Sequence, residues 1–281
     1  MKIFIKIVFA TLLFFLSIEG FSQKSFTTTT PLLKLGKKEN DSKNGLFFGA
    51  NLGFYFANKY NAQYYNGKGI NSVDSVIFHP YNYTNIKQAL QHDFLLSELP
   101  SNLKYSPALM IGLFFKYSFL KSAFFIQFNF SKLTTKDIFT IQYNDPFNPS
   151  IPIYKQESIH GAEQRANIDV GYSYTFSPDK KTRPYIELGV NLNNTKLIEN
   201  RIKIENLDFS IINPSTSYYK FNEGGIGMGA FVGSGVELVF SDIVSVNPGF
   251  NIYYNKTKLG DYYKFKPNYA IFVRVVLNGL L

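Results

Sequence analysis

Three histidines, His79, His92 and His160, are the first places to look for proton transfer or metal chemistry, and only His160 has a hydroxyl close by, Ser158 two residues earlier. A nucleophile and its base must come within hydrogen-bond reach and be held there by a third group. All three histidines fall in stretches that read as loops, and they lack the spacing of a metal-ligand set. The run Gly225, Gly227, Gly229, Gly233 and Gly235 suggests a phosphate loop at first sight. A phosphate loop needs a helix directly after it whose N-terminus meets the anion, and the residues after Gly235 instead continue the pattern of a strand. With no cysteine in the chain, thiolate metal sites, disulfides and Cys nucleophiles are excluded. The residues therefore nominate no catalytic, cofactor-binding or metal site, and the expectation is a protein that is not an enzyme.

The chemistry that remains is charge in a costly place. Lys116, Glu163, Arg165, Asp169, Glu187, Glu237 and Arg274 each occupy the polar phase of a segment whose alternate positions are apolar. If those segments close into a barrel, three cations and four anions share its interior. A sealed charge is tolerable only when paired and hydrogen-bonded, and Arg can bridge carboxylates through its planar fork. Counted from the strand ends, Lys116, Glu187, Glu237 and Arg274 reach similar depths. Arg274 is expected to bond Glu187 or Glu237 across the lumen, and the cluster to act as a structural plug.

The elements that must position these charges are read from period-two alternation. Ile226, Met228, Ala230, Val232, Val236, Leu238 and Phe240 fall on one face, and Gly227, Gly229, Phe231, Gly233, Gly235 and Glu237 on the other. After Ser241-Asp242-Ile243 the pattern resumes through Tyr254. Such strands exceed the five or six residues usual in soluble sheets and reach the roughly nine to eleven that cross a bilayer. Ala166 to Phe176 alternates against Arg165 to Thr175, and Tyr269 to Leu277 against Asn268 to Arg274. In the second strand Tyr105 and Leu109 to Phe119 are expected outward. Aromatic residues cluster at both ends of the segments, Phe119, Phe124, Phe176 and Phe240 at one and Phe54, Phe130, Tyr254 and Tyr269 at the other, as girdles at two interfaces would.

Connections alternate long and short. Residues 58–104 form a long loop suited to capping the barrel mouth, with a helix expected around Ile86 to Glu98. Residues 144–160 form a second long loop around Pro146, Pro149 and Pro152, and residues 195–223 a third that reads as a hairpin beyond the bilayer. The fold expected is all-β: a closed antiparallel transmembrane barrel, an up-and-down meander of eight strands, or ten if 195–223 enters the sheet. A mean hydropathy of -0.08 fits, because alternation hides a barrel's hydrophobicity.

Lys2 and Lys6 precede the apolar run Ile7 to Ile18, and Gly20-Phe21-Ser22 offers small residues to a signal peptidase. Residues 1–22 are expected to be a signal peptide cleaved near Ser22, and 23–44, Thr-rich and then Lys-rich, a flexible periplasmic lead-in to a barrel domain over 45–281. The full chain carries a net charge of +9. Basic loop residues Lys196, Arg201, Lys203, Lys256, Lys258, Lys264 and Lys266 suit lipopolysaccharide phosphates on an outer surface rather than nucleic acid.

The first-strand phrase Phe48-Gly49-Ala50-Asn51-Leu52-Gly53, the Gly-rich hairpin Gly225 to Phe240 with Ser241-Asp242 after it, and a final strand at the C-terminus resemble the PorT-like outer-membrane β-barrel family over about residues 45–281. The resemblance implies a Gram-negative cell outer membrane, insertion by the barrel-assembly machinery and, for some members, a part in protein secretion. The expected function is a non-enzymatic barrel with long extracellular loops, structural or partner-binding, with secretion-system proteins among its candidate partners. A lipid-modifying barrel enzyme is the alternative, and a small-solute channel a weaker one, because an eight-stranded lumen is filled by its own side chains.

Overall fold

The computed structural model describes residues 44–69, 72–145, 150–211 and 224–277. The expected signal peptide, the lead-in up to Lys43 and the last four residues lie outside them. In order the elements are β1 (Gly45–Phe56), α1 (Lys59–Ala62) running into a 3-10 turn (Gln63–Tyr65), α2 (Val73–Ile77), α3 (Pro80–Leu90) and β2 (Phe94–Glu98). Next come β3 (Ala108–Phe119), β4 (Ser122–Asn144), β5 (Pro152–Thr175), β6 (Thr182–Ile204), β7 (Leu207–Ser210), β8 (Gly225–Val239), β9 (Val244–Lys256) and β10 (Phe265–Leu277).

Eight of these strands close on themselves. β1, β3, β4, β5, β6, β8, β9 and β10 pair antiparallel in sequence order, and β10 returns to β1 through a register running from Phe48 opposite Leu277 to Phe56 opposite Tyr269. One circuit of paired residues runs Leu277, Phe48, Phe115, Ile126, Val170, Val190, Ala230, Tyr254 and back onto β10 at Pro267. The circuit is therefore displaced ten residues along β10, which for eight strands corresponds to a tilt of about 40°. β2 and β7 stand outside this ring, on β4 and β6.

Residues facing outward on the wall include Leu52, Leu113, Val190, Val232 and Val273, all exposed. The aromatic residues grouped by sequence at the two strand ends lie on this same outer surface, Phe124, Phe176 and Phe240 at the tight-turn end and Phe54, Phe130, Tyr254 and Tyr269 at the other. Such an exposed apolar belt is suited to a hydrocarbon surround.

Three neighbouring strands are far longer than a bilayer needs. β4, β5 and β6 have 23, 24 and 23 residues, so their upper parts rise about 25 to 35 Å beyond the belt. There β2 and β7 join the two sides, giving a five-stranded sheet in the order β2-β4-β5-β6-β7. One face carries Phe139, Ile141, Ile159, Ile202 and Ile204, against which Val73, Ile77, Ile86 and Leu90 of α2 and α3 are buried. The loop regions thus have an apolar core of their own.

Several expectations are corrected. The helix starts at Pro80, which suits the first turn, and ends at Leu90 where Gln91 turns left-handed with φ 62°. Residues 94–98 are therefore an edge strand rather than helix. The proline-rich loop is shorter than 144–160, because pairing with β4 carries β5 down to Pro152. His160 consequently sits in a strand. Tyr105 points inward: β3 register would place it opposite Lys136, but the break at Pro107 leaves it bridged to Thr135, and a one-residue slip exchanges faces.

Candidate functional site

The lumen is a stack of polar layers sealed by aromatic rings. Nearest the short turns, Lys116 Nζ lies 3.7 Å from Glu237 Oε2 and 5.0 Å from the centre of the Phe47 ring, and the Ser245 hydroxyl donates to Glu237 Oε1 at 3.2 Å. Beside this pair Arg274, fully buried, donates to Glu187 Oε1 at 2.9 Å through Nη1, to Gln127 Oε1 at 3.0 Å through Nη2 and to Asn51 Oδ1 at 3.1 Å through Nε. Its guanidinium lies 3.6 Å from the centre of the Phe114 ring. The four charges expected in one layer therefore divide into two pairs, and Arg274 meets Glu187 rather than Glu237.

Asp169 is held by neutral donors. Its carboxylate accepts from Gln127 Nε2 at 2.6 Å, Asn191 Nδ2 at 2.5 Å and the Tyr253 hydroxyl at 3.0 Å. From Asn191 a ladder of amides climbs through Asn255 and Asn268, each step 2.7 Å. It ends on loop residue Asn58, whose backbone N–H and side-chain amide both donate to Asn268 Oδ1 at 2.9 Å. A continuous hydrogen-bonded path thus joins Arg274 to the mouth of the barrel.

At the mouth, Arg165 and Glu163 stand two residues apart on one face of β5, with Nε and Nη2 each 2.6 Å from Glu163 Oε1. The other carboxylate oxygen accepts the hydroxyls of Tyr65 at 2.9 Å and Tyr105 at 2.8 Å. Tyr65 belongs to the 3-10 turn and Tyr105 to the loop end before β3, so one buried carboxylate ties both ends of the 57–107 connection to the wall. Gly161 makes room for this: a Cβ there would stand 2.1 Å from the Tyr65 ring. Tyr64, Leu103, Leu259 and Tyr262 close over the same spot.

Below the mouth, rings bridge the interior in sequence: Phe114 to Phe125 at 5.6 Å, Phe125 to Phe231 at 6.0 Å, Phe231 to Tyr253 at 5.6 Å and Tyr253 to Tyr55 at 6.1 Å between centroids. Side chains from facing walls meet, which leaves the lumen ill suited to passing solutes. Outside the wall, His160 Nδ1 lies 3.0 Å from Glu199 Oε1, His92 stacks on Tyr143 and His79 precedes α3. No group of three His, Asp or Glu side chains arranged for a metal occurs among the described residues.

The upper domain has its own charge contacts. Hydrogen bonds from Lys87 at 2.7 Å and Tyr83 at 2.6 Å hold the Asp93 carboxyl below its usual range. Burial pushes Glu157 up, with Lys155 and Lys203 pulling it back. Lys155 also pairs with Glu205 at the β6–β7 turn. Among the basic loop residues, Arg201 is engaged by Glu199 and Asp208, Lys256 lies over Tyr263 and Phe265, and Lys264 and Lys266 lie near Tyr60.

The ring-to-ring stack and the Tyr65–Glu163–Tyr105 contact escaped sequence reasoning, because they join strands and a loop from opposite sides of the barrel. The inward aromatics Phe114, Phe125, Phe231 and Tyr253 sit at polar-phase positions, and that misplacement is the signal that marks them.

The sequence matches no family model and no curated protein. Solved structures resemble the fold. Neisserial surface protein A is 11% identical, with a TM-score of 0.41 over 83% of this chain and 97% of that one. The outer membrane protein OprG from Pseudomonas aeruginosa is 10% identical, with a TM-score of 0.35 over 84% and 94%. The attachment invasion locus protein Ail of Yersinia pestis, solved with the heparin analogue sucrose octasulfate, is 9% identical, with a TM-score of 0.33 over 83% and 97%.

Proposed function

We propose that this chain is a non-enzymatic outer-membrane barrel that holds a small folded domain at the cell surface, where that domain binds a partner. The observation that carries this is the division of labour along the axis: a closed wall with an apolar belt, a lumen sealed by its own side chains, and a five-stranded sheet with two helices raised on one side. A sealed, rigid lumen serves anchoring rather than transport. On this reading the barrel-assembly machinery inserts the chain, lipopolysaccharide surrounds its outer rim, and the tight turns 120–122 and 241–243 face the periplasm. The PorT-like resemblance favours a secretion-system protein as the partner.

The test is cross-linking and purification from outer membranes of the source bacterium, comparing the full chain with a variant whose upper domain is shortened by replacing residues 137–159 and 202–209 each with a short Gly-Ser turn, which leaves Glu163 and the barrel mouth intact. A stoichiometric protein lost with the upper domain supports the proposal. Lipid A whose structure changes in a deletion strain, with no captured protein, would replace it by a lipid-modifying activity.

A further inference from the structure

The outward face of β4–β6 carries three lysines just above the apolar belt, with Glu199 in the row between them. Lys132 comes two positions after the exposed girdle residue Phe130, about 5 Å up the axis, and Lys196 four after the exposed Leu192, about 10 Å up. Both lie in one paired row, Lys132 opposite Gln164 and Gln164 opposite Lys196, so two strand spacings, about 10 Å, separate them. Lys136 stands four residues further along β4, about 13 Å from Lys132, opposite His160. All three lysines are exposed.

The acidic groups on the same face are already engaged. Glu199 accepts from Arg201 and faces His160, and Asp208 pairs with Arg201. Elsewhere around the rim Lys256, Lys264 and Lys266 lie against aromatic rings. Lys132, Lys136 and Lys196 have neither a carboxylate nor a ring partner among the described residues. Three uncompensated ammonium groups at head-group height, spread over about 10 by 13 Å, match an anion that carries more than one phosphate and sits in the lipid layer. Gln164 between them offers an amide to the sugar that would link the phosphates.

We infer that Lys132, Gln164, Lys196 and Lys136 form a docking site for the phosphorylated glycolipid head group of the outer leaflet, on the outer face of the β4–β6 wall. The inference rests on the membrane placement and orientation proposed above, and it names the lipid contact on one side of the rim.

The experiment uses the full chain in a non-ionic detergent and titrates it with bisphosphorylated lipid A, with enzymatically dephosphorylated lipid A, and with inorganic pyrophosphate, following bound lipid by native mass spectrometry. The K132Q/K136Q/K196Q variant should lose on the order of a hundredfold in affinity for the bisphosphorylated lipid, since each contact near the surface is worth roughly fivefold. K180Q/K181Q at the opposite end should bind as the parent does, and the triple Lys→Arg variant should retain binding. Dephosphorylated lipid should bind the parent as weakly as bisphosphorylated lipid binds the triple Gln variant. Equal binding of bisphosphorylated lipid by the parent and the triple Gln variant would overturn the inference, as would indifference to the phosphates. Pyrophosphate binding as tight as lipid A would assign the site to free phosphate anions instead. Detergent binding does not depend on where the protein resides in the cell, so a failure of the membrane placement would show separately, in surface labelling.

Discussion

Replacing Arg274 by Ala should be among the most damaging single changes in the barrel wall. The side chain is fully buried and donates to Glu187, Gln127 and Asn51 while lying against Phe114. Its removal strands the Glu187 carboxylate, itself buried, close to the interior that holds Asp169. Breaking a buried pair by deleting one partner costs roughly 3 to 5 kcal/mol, most of it from the charge left behind. For a domain of this size that corresponds to a fall in unfolding temperature on the order of 10 °C. The assay is the temperature at which the compact, unboiled band on a semi-native gel converts to the unfolded one. The exposed Lys258→Ala supplies the baseline, expected within about 0.5 kcal/mol of the parent. Glu187→Gln placed on Arg274→Ala should recover part of the loss, since it removes the stranded charge. Arg274→Lys should fall between, because an ammonium cannot reproduce the three-way fork. Equal midpoints for Arg274→Ala and Lys258→Ala, or no recovery in the double variant, would refute the pairing argument.

Gly161→Ala should push the Tyr65 ring away from β5, given the 2.1 Å approach of the added Cβ. Limited proteolysis should then cut within 57–107 faster than in the parent, while the unboiled band stays compact; unchanged cleavage would show that the turn is not held through this contact. The raised Glu157 carboxyl predicts a pH dependence of the upper domain. A group whose folded value lies above its unfolded one contributes its stability fully below the ordinary glutamate value of 4.5 and loses it as pH rises through the folded value. Protection of amides at the upper end of β5, measured against the intrinsic exchange rate at each pH, should therefore fall as pH rises past that point, and Glu157→Gln should flatten the trend.

Much of the barrel was legible because a membrane strand must alternate along its whole length, so every wall segment from β1 to β10 announces its phase. The lumen charges could be placed for the same reason: Glu187 and Arg274 interrupt long apolar series at inward positions. The parts that were not legible depend on contacts between distant segments. Residues 152–160 look like a loop by their proline and polar content, yet a long register with β4 holds them extended. Phe94 to Glu98 continues the apolar spacing of the helix before it, and a three-residue break that begins at the left-handed Gln91 separates the two. Pro107, two residues after Tyr105, marks a break, but only the bridge to Thr135 shows the slip that turns Tyr105 inward. The isoleucines Ile159, Ile202 and Ile204 look like isolated apolar residues in polar loops until the sheet and the α2–α3 pair bring them into one core.

Surface labelling of single-cysteine variants on intact cells tests the central claim most directly, and the chain has no native cysteine to confuse it. Lys68 is exposed on the long connection, whereas the neighbouring Asn66 is buried and would label poorly; Ser241 is exposed at a tight turn. A membrane-impermeant maleimide should mark Lys68→Cys on intact cells and reach Ser241→Cys only after the outer membrane is opened. Labelling of Ser241→Cys on intact cells with Lys68→Cys silent would contradict the orientation, and labelling of neither even after opening would contradict placement in the outer membrane.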